Sequence, residues 1–235
     1  MKNKSLVVAK VNFRNIKLAY VITAIVICCL VIQDIVFIVL NLFGIDVSAG
    51  DGTAGLGNFL YLLVLLSAIF IPARNFRRLM NLGGKRDDFF YGCAMTYVIM
   101  AAAVSLAGII LYYTYERLLL VYYDGWTLNV LYWFGWIARG PVIAFFQQFA
   151  FLFLLAVFTH TLTSAQDRWY GWAADILIVA IISVFTPIAP LRSSLVWFFN
   201  MIIFHPNAFL QITSCLVLAA LVYWLSRPIF ARKAI

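Results

Sequence analysis

The sequence predicts an all-α polytopic membrane protein with six transmembrane helices. The first observation is composition: 65% of the 235 residues are hydrophobic and only 11% are charged, whereas about a quarter of a typical soluble domain is charged. The second is the spacing of the charges, which leaves apolar runs of about 20 residues, the length of a membrane-spanning helix. We therefore expect the lipid bilayer as the surroundings of the chain, and we exclude water-soluble enzymes and nucleic-acid-binding proteins.

The charged residues divide a single transmembrane domain, 1–235, into six predicted spans. The first run is interrupted only by Asp34, the second is free of charge, and the last ends at Arg227-Pro228. Between spans three and four, aromatic residues among mixed charges are typical of a segment at the membrane surface. The spans are expected at about 18–43, 57–73, 89–114, 141–162, 173–190 and 207–226.

Residues 1–17, before the first span, mix apolar and basic positions at nearly helical spacing. Leu6 and Val7 are followed by Lys10 and Arg14. This pattern predicts an amphipathic elbow helix lying on the inner leaflet before the chain turns into span one. A disordered basic tail is the alternative.

The segment 193–206, between spans five and six, is apolar but short. Its apolar part, 193–204, would reach only about 18 Å as a helix, too short to cross about 30 Å of hydrocarbon. We expect a re-entrant or interfacial hairpin here. The alternative is a seventh span, which would move the C-terminus to the opposite side and is opposed by the distribution of basic residues.

The basic residues are distributed unevenly between the two sides of the predicted spans. Fourteen of the 17 Lys and Arg residues fall on the side of both chain termini, and three fall on the other side. Basic residues concentrate in cytoplasmic segments of membrane proteins. We therefore expect both termini and the loop 74–88 to be cytoplasmic, and Ser48 and Asp124 to be external, in a multi-pass protein of the cell membrane.

No motif for catalysis or cofactor binding is found. The sequence lacks the H-E-x-x-H pattern of zinc proteases, the G-x-S-x-G nucleophile elbow and the G-x-x-x-x-G-K-[ST] phosphate-binding loop. It has two histidines, and its four cysteines lie within apolar runs, where cysteine behaves as a small hydrophobic residue. We expect no catalytic residue, no metal and no cofactor in this chain, and no enzyme activity of its own.

Polar residues inside the predicted spans are candidates for a functional role. Polar and ionisable groups are costly in hydrocarbon and often mark a transport path. Gln33 and Asp34 lie in span one, and Gln147 and Gln148 lie in span four. They either line a path or hydrogen-bond to other helices, and the sequence leaves both possibilities open.

The loop between spans two and three is the densest charge cluster of the sequence. From Arg74 to Phe90 it reads RNFRRLMNLGGKRDDFF, with a short basic amphipathic piece, a Gly83-Gly84 break and charges before an aromatic helix start. A solvated run of charges is the ordinary interpretation. Here the loop resembles the inner loop of type-2 ABC transporter permeases, in which a G-x-[KRS]-R-x-[DE]-F-like stretch precedes the third span.

The organisation of the whole chain is similar to that family. Its members have an amphipathic elbow helix, six spans with both ends inside, a coupling helix between spans two and three, and a re-entrant hairpin between spans five and six. The resemblance implies a bacterial permease subunit that pairs with a second copy or a homologue. It also implies separate ATP-binding cassette subunits, which would bind ATP and Mg²⁺ and power export. The residues implied in ATPase contact are Arg77, Arg78, Lys85, Arg86, Asp87 and Asp88.

Two other functions remain open. A secondary carrier or channel would contain an internal repeat with matching broken spans, and the two halves of this sequence show no convincing similarity. A non-transporting membrane anchor or sensor subunit fits if Asp34, Gln147 and Gln148 all face other helices. An aromatic outer rim is compatible with any hydrophobic substrate of a transporter.

Overall fold

The computed structural model describes residues 2–44, 53–122 and 127–232, which form an almost entirely helical protein. The predicted external positions Ser48 and Asp124 lie outside the described residues. The helices are α1 (Lys2–Asn15), α2 (Lys17–Leu42), α3 (Leu56–Phe59), α4 (Tyr61–Phe70), α5 (Phe76–Asn81), α6 (Arg86–Leu111), α7 (Arg117–Tyr122), α8 (Val130–Trp133), a 3₁₀ turn (Ile137–Arg139), α9 (Pro141–Ala165), α10 (Trp169–Phe185), α11 (Ala189–Phe199) and α12 (Ala208–Arg232).

Three π-helical turns and one strand pairing complete the described secondary structure. The π-helical turns lie at Ile71–Asn75 between α4 and α5, at Tyr112–Glu116 between α6 and α7, and at Asn200–Phe204 after α11. A π-helical turn closes its hydrogen bonds between residues i and i+5, so it holds one more residue than an α-helical turn. The strands β1 (Thr53–Ala54) and β2 (Thr127–Leu128) pair in parallel.

Five helical stretches of the described chain are long and apolar enough to cross a membrane. α10 and α11 meet at a turn of 118°, and together with the π-helical turn they provide a sixth crossing if this bent pair is one span. The predicted class, an all-α multi-pass membrane protein, is confirmed at this level. The five stretches are Lys17–Leu42, Leu56–Asn81, Arg86–Val121, Pro141–Ala165 and Ala208–Phe230.

The centre of the bundle consists of α6, α9 and α12. Gln147 near the start of α9 contacts Gln211 near the start of α12, and His160 near the end of α9 stacks on Phe230 near the end of α12. These two helices therefore run parallel. α6 runs antiparallel to both, because Tyr97, in its first half, contacts His160 in the last turns of α9.

One end of the bundle, which we call the basic end, joins α5, the first turn of α6 and the ends of α9 and α12. Arg77 of α5 lies 3.9 Å from Asp167, just after α9. Arg86 of α6 donates a hydrogen bond of 3.0 Å to the carbonyl oxygen of Phe230 in α12. The opposite end, which we call the Glu116 end, joins the π-helical turn after α6 to the strands and α8.

The bent pair α10–α11 carries the chain from the basic end to the Glu116 end. α10 begins beside the end of α9, where the side chain of Gln166 donates to Asp175. The π-helical turn after α11 lies beside the loop that precedes α9, and Trp136 Nε1 donates to the carbonyl oxygen of Ile203 at 2.9 Å. The pair therefore begins at the basic end and finishes at the Glu116 end, and α12 ends at the basic end.

α1 packs along the first turns of α6 in the same direction. Val8 lies against Gly92, where a Cβ would come within 2.5 Å of Val8 Cγ1. Asn12 Nδ2 donates to Thr96 Oγ1 at 3.4 Å, and Asn75 Nδ2 donates to Asn12 Oδ1 at 3.1 Å. The residues predicted as an elbow helix are thus helical, and their buried face contacts protein at the basic end.

Aromatic rings fill the basic end of the bundle. The rings of Phe76, Phe89 and Phe230 lie 5.3–5.7 Å from one another, and Phe90 stacks on Tyr223 at 4.3 Å. All five side chains are buried. These rings come from α5, α6 and α12, so their packing joins α5, the helix within the charged loop, to α6 and α12.

Candidate functional site

The polar residues predicted in spans one and four lie on the Glu116 side of the bundle. Asp34 in α2 is 7% exposed and accepts a hydrogen bond of 2.7 Å from Tyr115 Oη, in the π-helical turn after α6. Gln33, next to it, is exposed and faces away from these partners. α2 carries few other buried residues, so the Asp34–Tyr115 bond is a main polar link between α2 and the bundle.

Gln147 joins α9 to α12. Its Nε2 donates to Gln211 Oε1 at 2.7 Å, and Gln211 Nε2 donates in turn to the carbonyl oxygen of Ile202, in the π-helical turn after α11, at 2.9 Å. Both glutamines are fully buried. This chain of amides connects two central helices to the bent pair.

Gln148 joins α9 to the second span. Its Nε2 donates to Tyr61 Oη at 3.1 Å, and it lies against Gly108 of α6, where a Cβ would come within 2.8 Å of Nε2. The Oε1 atoms of Gln147 and Gln148 are buried and have no partner in the described part of the chain. They are therefore the open acceptor positions of this polar layer.

Glu116 is the residue that the sequence interpretation missed. Its side chain is 2% exposed, and both carboxylate oxygens accept from Asn129 Nδ2, at 2.7 and 2.8 Å. The backbone N–H of Gly57 also donates to it. A Cβ on Gly55 would lie 2.5 Å from Glu116 Oε1, so only glycine lets the backbone pass the carboxylate this closely.

Asn58 adds two hydrogen bonds beside Glu116. Its Nδ2 donates to the carbonyl oxygen of Leu128 at 2.6 Å, and its Oδ1 accepts from the backbone N–H of Val130 at 2.9 Å. Together with the pairing of β1 and β2, these bonds join the segment before span two to the segment before α8. The signal in the sequence is an acid within an aromatic run.

The charged loop at the basic end contains the six residues implied in ATPase contact, and several of them are bonded within the chain. Arg77 lies near Asp167, and Asp87 lies 3.7 Å from Arg227. Arg78 Nη1 lies 3.4 Å from Asn15 Oδ1. The side chains of Arg77 and Asp87 nevertheless remain 63% and 71% exposed, so these ion pairs leave most of their surface accessible.

The remaining members of the loop differ in accessibility. Lys85 is exposed, whereas Arg86 and Asp88 are half-buried, Arg86 through its bond to the backbone of α12. Lys85 and Asp88 also line a cavity of about 260 Å³ together with Lys4 of α1. The loop thus presents an accessible surface of mixed charge whose shape is fixed by α1, α6 and α12.

No group of three or more His, Cys, Asp or Glu side chains that could hold a metal ion is found among the described residues. The four cysteines are free. The chain matches no protein-family model, no curated protein and no solved structure in the comparisons made. Its class, a polytopic all-α membrane protein, therefore rests on composition and on the helices themselves.

Proposed function

We propose that this chain is the permease subunit of an ATP-driven ABC exporter in a bacterial cell membrane. The observation that carries the proposal is the accessible, charged loop of α5 and the start of α6, which lies between the second and third spans. Aromatic rings of α5, α6 and α12 pack it against the bundle. A loop packed against the spans at this position would transmit the movement of an ATP-binding cassette subunit to them.

In this proposal, Arg77, Arg78 and Lys85 contact the ATPase directly. Arg86, Asp87 and Asp88 contribute at the edge of this contact. Arg86 also bonds to the backbone of α12, Asp87 pairs with Arg227 of α12, and Asp88 lines the cavity beside α1. The ATPase subunits would bind ATP and Mg²⁺, and this chain would hold no cofactor. The excess of basic residues at this end supports a cytoplasmic position for the loop and for both termini.

Two further features support the same proposal. The 118° turn between α10 and α11 is compatible with a re-entrant hairpin before the last span. The path would lie between two permease subunits, the second being another copy or a homologue, and the buried side chains of Asp34, Gln147 and Gln148 would hold the helices of one subunit together beside it. Two states of the bundle, biased by ATP on the partner, would open and close that path.

The proposal is tested by reversing two charges of the loop, Arg77→Glu with Arg78→Glu, and measuring co-purification of an ATPase subunit and substrate-stimulated hydrolysis. Removing one partner of an interfacial charge pair costs about 2–5 kcal/mol, whereas an exposed surface pair is worth about 0–1 kcal/mol. We expect loss of ATPase binding or of stimulation. The control is Arg117→Glu with Arg192→Glu, two exposed arginines outside the loop. Equal behaviour of both variants and the parent overturns the coupling role.

A complementary experiment measures hydrolysis by the chain alone. Because the sequence has no phosphate-binding loop, the purified chain is expected to hydrolyse no ATP, while the complex with its ATPase does. Sustained hydrolysis by the isolated chain, after removal of contaminants, contradicts the proposal.

The topology is tested by labelling single cysteines at Ser48 and at Asn81 in a cysteine-free background. An impermeant thiol reagent should reach the first only from outside and the second only from the cytoplasm. Labelling of both from the same side excludes the six-span arrangement.

A non-transporting anchor or sensor subunit is a second candidate, favoured by the contacts of the polar layer. Asp34, Gln147 and Gln148 each hydrogen-bond to another helix, as an anchor requires. The two candidates separate in sealed vesicles that contain the purified complex. ATP-dependent movement of a hydrophobic dye or peptide supports the exporter, and ATPase binding without any movement of substrate supports the anchor.

A further inference from the structure

Four exposed cations surround the junction of α1 and α2. Lys10 and Arg14 lie on the face of α1 that points away from α6, Lys17 begins α2, and Arg74 lies in the π-helical turn after α4. Arg74 is brought to this junction by its neighbour Asn75, which bonds to α1. We call these four residues the basic face.

The charges of the basic face are not neutralised by the protein. None of its four members forms an ion pair with an acidic side chain in the described part of the chain, where the two ion pairs are Arg77–Asp167 and Arg227–Asp87. Of the two acids in the loop, Asp87 pairs with Arg227 and Asp88 lines the cavity beside Lys4.

Exposed apolar side chains begin directly beside the basic face. On α2, the first turns after Lys17 expose Leu18, Val21 and Ile25 by 46%, 52% and 57%. On α1, Val7 is 61% exposed, one turn before the first cation of the face. The cations therefore border an exposed apolar surface. Residues at the boundary between lipid headgroups and hydrocarbon are arranged in this way.

We propose that the basic face binds the headgroups of anionic phospholipids in the leaflet at the basic end. Long Lys and Arg side chains can lay their stems on apolar surface while their charged ends reach the phosphates. Each such cation near an anionic leaflet strengthens attachment by about fivefold. The bound lipid would hold α1 and the second span together at their shared surface. This inference needs only a membrane protein and does not depend on the exporter proposal.

A lipid fits this surface better than a protein partner does. A protein docked here would have to cover the apolar side chains at the start of α2 as well as the cations, whereas a phospholipid meets both with one molecule. The four cations also lie outside the group implied in ATPase contact. A bilayer is present at this boundary in any six-span arrangement, so anionic phospholipids of that bilayer can reach the basic face.

The test is a lipid titration of the full chain in mild detergent, followed by native mass spectrometry. Phosphatidylglycerol and phosphatidylcholine are compared as probes, and glycerol phosphate serves as the free headgroup. We expect the parent to prefer phosphatidylglycerol, and the variant Lys10→Gln/Arg14→Gln/Lys17→Gln/Arg74→Gln to lose at least tenfold of that preference. Glycerol phosphate at equal concentration should not compete.

Two controls keep the result interpretable. Exchanging Lys for Arg and Arg for Lys at the same four positions keeps the charge and should keep the preference, even if the glutamine variant proves poorly folded. Arg117→Gln with Arg192→Gln removes two exposed cations elsewhere and should change nothing. Equal affinity of the parent for the two lipids, an unchanged preference in the glutamine variant, loss of preference in the charge-keeping variant, or full competition by glycerol phosphate overturns the proposal.

Discussion

The two ends of the bundle differ in whether a buried carboxylate takes part in the contacts between helices. At the basic end, interlocking rings such as Phe76, Phe89 and Phe230 fill space between three helices. At the Glu116 end, directed hydrogen bonds join the carboxylate of Glu116 to Asn129 and that of Asp34 to Tyr115. Both ends contain packed rings and hydrogen bonds, since Phe134 packs on Trp136 at the Glu116 end and Asn75 bonds to Asn12 at the basic end. The difference is that the buried carboxylates of the described residues, Asp34 and Glu116, lie toward the Glu116 end.

This difference teaches how each end responds to substitution. Ring packing depends on volume, so a smaller apolar residue leaves a cavity while another residue of similar size is tolerated. A buried hydrogen-bonded acid depends on its donor, and loss of the donor leaves the acid without compensation. The basic end carries the charged loop, and the Glu116 side of the bundle carries the polar layer.

The largest effect is expected from Phe89→Ala at the basic end. Phe89 is fully buried, and removing a buried ring costs about 3–5 kcal/mol of unfolding free energy. Phe89→Leu should cost clearly less, because it fills more of the cavity. The measurement is equilibrium unfolding in detergent, with Phe198→Ala, at a 41% exposed ring of α11, as the control. A similar loss of unfolding free energy in Phe89→Ala and Phe198→Ala would contradict the idea that the packing of buried rings stabilises the basic end.

At the Glu116 end, Asn129→Ala is expected to cost about 2–3 kcal/mol, since it leaves a buried carboxylate without its side-chain donor. The double variant Asn129→Ala/Glu116→Ala should recover part of that loss, because no unpaired acid remains. Unfolding of the two single variants and the double variant gives the coupling directly. If the losses of unfolding free energy are additive, the two side chains act independently. The Glu116 end would then not depend on a paired buried carboxylate.

A smaller effect is expected from Tyr115→Phe, which removes the hydroxyl that donates to Asp34. One lost hydrogen bond to a buried acceptor corresponds to about 1–2 kcal/mol. Tyr113→Phe is the matched control, since Tyr113 is 40% exposed and lies in the same π-helical turn. Equal stability of the two variants means that α2 is not held by this bond.

The smallest effect is expected from Arg227→Gln at the basic end. Its pair with Asp87 is long, at 3.7 Å, and both side chains are largely exposed, so the expected loss is about 0–1 kcal/mol. The same unfolding measurement in low and high salt should show little change. A loss above 2 kcal/mol shows that charges as well as rings hold the basic end.

The membrane class could be predicted from the sequence, because composition and apolar run length depend only on the solvent around the helices. Helix ends could not be predicted in the same way. The predicted second span ends at 73, whereas its helix continues to Asn81, since charges mark where hydrocarbon stops and not where helical hydrogen bonding stops. α10 ends at Phe185, earlier than the predicted 190. Thr186 keeps helical φ and ψ of −63° and −49°, but Pro187 has no backbone N–H with which to continue the helical hydrogen bonds.

For the polar layer, the sequence predicts the polar residues within the spans but not their hydrogen-bond partners. A glutamine or an acid in an apolar run, such as Asp34 or Gln147, is visible in the sequence. Its partner is set by helix packing over long separations, so Tyr115 and Gln211 were not identified. The sequence places Glu116 in a surface segment, because its burial depends on the close approach of Gly55 and Gly57, which are distant in the sequence.

The two internal π-helical turns have a consequence for the phase of the helices that contain them. Each one adds a residue to a long helix, and one residue corresponds to a rotation of about 100° around a helix axis. Deleting a single residue from Ile71–Asn75 or Tyr112–Glu116 would restore a regular helix and leave the helix beyond it in nearly its present phase, because the wider turn already absorbs the extra residue. The same deletion elsewhere in these helices would turn everything beyond it by that angle, so in sequences descended from a common ancestor with this one, a lone gap at either π-helical turn would preserve which side chains face the bundle.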